Sequence, residues 1–169
     1  RLAQHLALSA VRGVRQIIGR CAEEDRKTGT SNLLSDSAFE HGLNVVAARG
    51  LSFDLQLTPP LMNACADLFS KVPDLNVALC HGGSLSAVDE ASLEEWESGL
   101  RALAELPNLI CKVSGFGMFN HNWRRETIES HIHKVIEIFG PSRVEFGSNY
   151  PVDKLYASFE DTIGAYLSI

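Results

Sequence analysis

The chain has 169 residues, 45% of them hydrophobic and 21% charged, with a formal net charge of -6. That length supports one domain with a real core, and the acidic balance offers no general attraction to nucleic acid or an anionic membrane surface. No apolar run is long enough to cross a bilayer, and no charged-then-apolar leader opens the sequence.

Residues 2–10 read as the last turns of a helix, and Arg12-Gly13 punctuates before a strand over 14–18. Residues 19–32 are polar and read as a long rim or lid loop. A helix follows over 33–48, with Gly50 suited to the left-handed position after it. A strand over 51–57 leads into Thr58-Pro59-Pro60, where Thr58 reads as the N-cap and Pro59 as the first helical residue. Leu61, Cys65, Leu68, Phe69 and Val72 form that helix's inward stripe.

The next strand spans 75–81 and ends at Gly82-Gly83. A helix then carries Leu93, Trp96, Leu100 and Leu103 on one face. Another strand over 109–114 is broken by Gly115 and Gly117. After a loop over 118–125, a helix over 126–139 turns Ile128, Ile132, Val135 and Phe139 inward and stops at Gly140-Pro141. The last strand, 143–146, runs into Gly147-Ser148-Asn149-Tyr150-Pro151, and an amphipathic helix spans 155–167.

Five strands separated by helices, with no hairpin signal, require a parallel α/β sheet, doubly wound or closed as a barrel. No Gly-x-Gly-x-x-Gly or phosphate loop follows a strand, so a dinucleotide fold lacks its signature. A complete (β/α)8 barrel needs about 250 residues. The chain opens at Arg1 without Met and stops inside a helical pattern. A single barrel domain over 1–169 is expected, a fragment lacking the N-terminal strands and the extreme C-terminus.

The four cysteines, Cys21, Cys65, Cys80 and Cys111, show no short paired spacing. They read as reduced, buried thiols of a cytoplasmic protein, not as a zinc knuckle or disulfide framework.

Polar groups recur near the strand ends. They are Arg15 and Gln16, Asp54 and Gln56, His81, Lys112 and Ser114, then Ser148 and Asn149. A parallel strand covered on both sides should be apolar throughout. Alternation puts Asp54 with Gln56 on one face and Lys112 with Ser114 on one face. Such groups are costly to bury alone, so a shared pocket is expected.

His81 could ligate a metal or move a proton, against the plainer reading of a hydrogen-bonded turn histidine. Lys112 could bind a substrate carboxylate or polarise a carbonyl, or be a solvated lysine at a strand edge. Arg15 could clamp a carboxylate, or form a structural ion pair with Asp54 or Glu145. His131 and His133 sit two apart in a helix and cannot share a metal. His121 is a rim-loop candidate for substrate contact, and Glu94, Glu95 and Glu97 read as a solvated face.

Several segments carry a resemblance. They are Arg12-Gly13-Val14-Arg15-Gln16-Ile17, Leu51-Ser52-Phe53-Asp54-Leu55-Gln56, His81-Gly82-Gly83, Trp96, Pro107-Asn108-Leu109 and Lys112-Val113-Ser114-Gly115. Phe139-Gly140-Pro141-Ser142-Arg143-Val144 and Phe146-Gly147-Ser148-Asn149-Tyr150-Pro151-Val152 complete the set. In order and spacing the chain resembles the amidohydrolase-related TIM-barrel hydrolases, which include sugar-acid lactonases and dicarboxylate lactone hydrolases.

The resemblance implies the middle and later part of a barrel, with the family's His-x-His strand not in this chain. It also implies a small-molecule substrate and a metal-dependent hydrolase. The family's site positions fall on His81 and Asn149; with the strand-end reading, His81 and Asn149 are the expected catalytic residues and Arg15, Gln56 and Lys112 the expected substrate-binding ones. The family often has Asp where Asn149 stands. An amide is neither a base at neutral pH nor a carboxylate ligand, so a divalent metal such as zinc loses support. The expected activity is water attack on a small lactone or related carboxylate-bearing ring. The alternatives are a barrel that binds small carboxylates without turnover, or a decarboxylase.

Overall fold

The computed structural model describes residues 2–8, 10–19 and 22–169; Cys21 lies outside the described residues. Five strands pair in chain order into one parallel sheet: β1 (Gly13–Ile18), β2 (Ser52–Leu57), β3 (Val77–Leu79), β4 (Leu109–Val113) and β5 (Val144–Phe146). Helices α1 (Leu2–Leu6), α2 (Ala22–Thr28), α3 (Ser37–Ala47), α4 (Met62–Phe69), α5 (Glu90–Ala104), α6 (Phe116–Phe119), α7 (Arg125–Phe139) and α8 (Phe159–Leu167) alternate with them. Sequential parallel strands with helical crossovers form the wall of an incomplete (β/α)8-type barrel, open between β1 and β5.

The register separates two faces. On one, Leu55 lies beside Leu79, Leu79 beside Cys111 and Cys111 beside Val144. This face joins the helices in the core, where Leu55, Leu79, Leu109, Leu100, Leu103 and Val135 are fully buried. On the other, Arg15 lies beside Asp54, Asp54 beside Ala78, and Lys112 beside Glu145. On β2 and β4 the polar side is thus the side turned away from the helices, whereas on β1 Gln16 lies beside Leu55 on the helix side.

The inward stripes carry most of what the periodicity predicts: Cys65, Leu68 and Phe69 on α4, Trp96, Leu100 and Leu103 on α5, and Ile128, Ile132, Val135 and Phe139 on α7. Leu61 and Leu93 are only half-buried, and Val72 is buried beyond the end of α4. A Cβ on Gly99 would stand 2.7 Å from Met62 Cβ, so glycine lets α5 lie directly against α4. Arg143 Nη1 donates to the carbonyls of Ala104 and Leu106 at 3.0 Å, and its Nε donates to Phe139 O at 3.1 Å. One side chain thereby closes the ends of both long helices above β4.

Several boundaries differ from the sequence expectation. Residues 19–32 contain α2 and the start of a 3-10 turn, Thr30–Ser35, instead of a plain loop. Glu23, Glu24 and Asp25 open α2, and Arg26 and Lys27 close it, which complements the helix dipole without any apolar stripe. α3 starts at Ser37, where the Asp36 side chain accepts from Ala38 N, and α8 starts at Phe159 behind the cap Ser158. Thr58 does not cap; its hydroxyl donates to Gly19 O at 3.0 Å and joins the ends of β1 and β2.

Cys65, Cys80 and Cys111 are buried free thiols, and burial pushes all three up from the usual thiol range. Among the described residues no helix is long and apolar enough to cross a membrane.

Candidate active site

β3 ends in four consecutive left-handed residues: His81 (φ 57°), Gly82 (φ 55°), Gly83 (φ 77°) and Ser84 (φ 57°). Two of them carry side chains, which concentrates backbone strain at this turn. Trp96 Nε1 donates to Gly82 O at 2.7 Å and holds it. At Gly83 the φ of 77° favours glycine, and Met62, Leu100 and Trp96 pack close around it.

The turn places His81, 6% exposed, against the ends of β1 and β4. Its Nε2 lies 3.2 Å from Arg15 Nη2 and its Nδ1 lies 2.9 Å from Ser114 Oγ. A guanidinium only donates. Nε2 therefore carries the lone pair, and Nδ1–H donates to Ser114. Burial first, then the charges of Arg15 and Lys112, lower the His81 pKa to about 4. The ring is neutral at pH 7, with its acceptor nitrogen facing a cation.

That shift sets a stability prediction. The pKa is 6.5 in the ordinary state and about 4 in the folded state. Between those values the unfolded chain binds the proton and the folded chain does not, so stability falls as pH drops through this window. The loss attributable to His81 approaches about 3 kcal/mol below pH 4. Denaturant unfolding at pH 7, 5.5 and 4 should show a steeper acid loss in the wild type than in His81→Gln.

Arg15 also donates to Gln56 Oε1. Among the described residues no ion pair includes Arg15. The alternative of an Arg15 pair with Asp54 or Glu145 is thereby set aside. Asp54 instead accepts from Lys112 Nζ at 2.8 Å, with the two side chains 32% and 25% exposed. Lys112 lies on the predicted face, but its charge is engaged within the protein.

Asn149 follows β5 with φ 54° and donates from Nδ2 to Asp153 Oδ1 at 2.9 Å. Gly115 separates it from His81. A Cβ at Gly115 would be 2.7 Å from His81 Nδ1 and 3.1 Å from Asn149 Nδ2, at φ 68°. Gly115→Ala is expected to cost about 2 kcal/mol in stability through backbone strain alone, and to displace His81. A thermal melt together with turnover measurement checks both.

Arg15, Gln56, His81, Ser114 and Asn149 thus converge around one end of the sheet, with Lys112 on the same face. His121 stacks on Tyr156 with ring centroids 4.3 Å apart. His131 packs against Trp96 and Phe116, in keeping with a core histidine and not half of a metal pair. Sequence reading missed Asp153, which is 4% exposed; its spacing of four from Asn149 is a helical-turn signal, masked by the intervening Pro151.

Among the described residues no three His, Cys, Asp or Glu side chains group to hold a metal ion. His81 aims its lone pair at a guanidinium, and an amide stands at 149. By themselves the described residues do not complete a divalent-cation site.

The amidohydrolase family model matches residues 2–168. A Sinorhizobium fredii relative, named uncharacterized protein y4mH, is 33% identical over 99% of this chain and 57% of its own length. An L-fucono-1,5-lactonase of Burkholderia ambifaria is 27% identical over 93% of this chain and 51% of its own. The chain thus spans about half the length of the curated relatives it matches. A Burkholderia multivorans amidohydrolase crystallised with bound zinc superposes with a TM-score of 0.85 at 24% identity, covering 99% of this chain and 60% of that one. Strand order, polar strand ends and the family match together assign this chain to the amidohydrolase family.

Proposed function

We propose that the site hydrolyses a small lactone, or a related ring bearing a carboxylate, by attack of water. The observation that carries this reading is Arg15, a guanidinium without a carboxylate partner among the described residues, held against the neutral ring of His81. A fork of N–H donors suits a substrate carboxylate or a developing oxyanion. When an anion takes up Arg15, the cationic field on His81 is offset and Nε2 becomes a better acceptor.

Water then donates to Nε2 and its oxygen attacks the lactone carbonyl carbon. The tetrahedral adduct collapses by breaking the ring C–O bond. The proton held at Nε2 passes to the leaving alkoxide, giving the open hydroxy acid. Ser114 fixes the tautomer of His81, Gln56 fixes Arg15, and Asn149 orients water or a substrate hydroxyl. Lys112, paired with Asp54, contributes positive charge at longer range. The lactonase name of the Burkholderia ambifaria relative supports the substrate class.

The test is a pH-indicator assay on the full-length protein with sugar-acid 1,5-lactones and dicarboxylate lactones. Acid release well above the spontaneous rate is expected with at least one class. Asn149 favours a second reading, in which a small carboxylate binds at Arg15 without turnover. Calorimetric binding of the hydroxy acid with no acid release from any lactone would select it. Release of carbon dioxide would point to decarboxylation.

A further inference from the structure

Asp153 is a buried carboxylate that the mechanism above does not use. Among the described residues its side chain accepts a hydrogen bond from Asn149 Nδ2 alone, and it joins no ion pair. Asp153 lines a small gap together with Phe116, Trp123, Ile128, Thr162 and Tyr166. Its backbone N–H donates to Asn149 O at 3.2 Å, so the two residues form one closed turn beyond β5.

A buried carboxylate with a single donor is a costly way to fill space. An apolar side chain would serve packing better among those neighbours. What the carboxylate does that an apolar group cannot is dictate a direction. Asn149 has one acceptor end and one donor end, and nothing in its own shape decides which faces which way. Burial pushes the Asp153 carboxyl up and the Asn149 N–H donor pulls it partly back down; in its ionised form it only accepts. It therefore selects Nδ2 and leaves Oδ1, which accepts no hydrogen bond from the described residues, for a ligand.

We propose that Asp153 is a positioning residue for the hydrolysis proposed above: it locks the Asn149 amide so that Oδ1 is the end available to the attacking water or to a hydroxyl of the lactone ring. The role rests on that hydrolytic reading and sharpens it. Asn149 becomes an acceptor at the site, not an oxyanion donor.

Three variants of the full-length protein test this: Asp153→Asn, Asn149→Asp, and the exchange Asn149→Asp/Asp153→Asn. Asp153→Asn keeps the shape but lets the 149 amide turn over, and kcat should fall at least tenfold with KM changed less than twofold. Asn149→Asp alone sets two carboxylates against each other and should also fall at least tenfold. The exchange reverses donor and acceptor within the pair and still presents an oxygen acceptor at 149, so at least half of the lost factor in kcat should return.

A side-chain amide signal of Asn149, followed by NMR in the wild type, should shift on Asp153→Asn. Wild-type turnover that Asp153→Asn leaves unchanged, or that the exchange does not recover while its melting temperature does, overturns the role. A wild type that turns over no lactone overturns the hydrolytic reading itself. The amide signal then still reports whether the Asn149–Asp153 lock forms.

Discussion

Arg15→Met is expected to lower kcat/KM on an anionic lactone by about a hundred- to a thousandfold, the range for removing one preorganised donor from a site of developing charge. The substitution retains the aliphatic stem along the inner face and deletes only the fork. Arg15→Lys should recover part of the loss, because an ammonium supplies the charge but cannot hold Gln56 and His81 together as Arg15 does. The acid limb of the rate profile gives a second readout. Arg15 is the largest charge holding the His81 pKa down after burial itself. Removing it raises that pKa, so the limb should move to higher pH in Arg15→Met. An unmoved limb with the same loss in KM would place Arg15 in binding alone.

His81→Ala is expected to reduce kcat by a factor of about a hundred to ten thousand, the range for losing a positioned proton acceptor. KM should change little, since the anion is held by Arg15. Truncation also leaves Ser114 Oγ without its partner at 2.9 Å. His81→Gln controls for that by restoring a polar side chain of similar reach. Steady-state rates of the three proteins, with circular dichroism to confirm folding, decide the assignment. Equal kcat in wild type and His81→Ala would remove His81 from the chemistry.

The sheet could be read from the sequence because each strand is short, apolar on one side and closed by glycine or proline. The stripe of α7, from Ile128 to Phe139, was equally legible because its apolar spacing is unbroken. α2 was not, because its turns are made of charge and capping with no inward face, and periodicity detects only inward faces. Within the site, Arg15, Gln56, His81 and Asn149 could be nominated from their places at strand ends. Their pairing could not. Whether Asp54 takes Arg15 or Lys112 depends on which cation reaches it in space, and the choice leaves Arg15 hydrogen-bonded to Gln56 but without a carboxylate among the described residues. Asp153 escaped notice for a related reason: a lone acid in a loop reads as solvated until the aromatic rings around it are placed.

The two-residue rhythm of β2 and β4 has a further consequence for how such a chain can vary. Asp54 and Gln56, and Lys112 and Ser114, stay inward only while the count of residues along their strands is kept. A single-residue insertion or deletion within either strand would turn those groups into the oily layer beneath the helices and bring Phe53 with Leu55, or Cys111 with Val113, into the cavity. Connectors such as residues 84–89 and 120–124 can change length without that consequence, and these strands cannot.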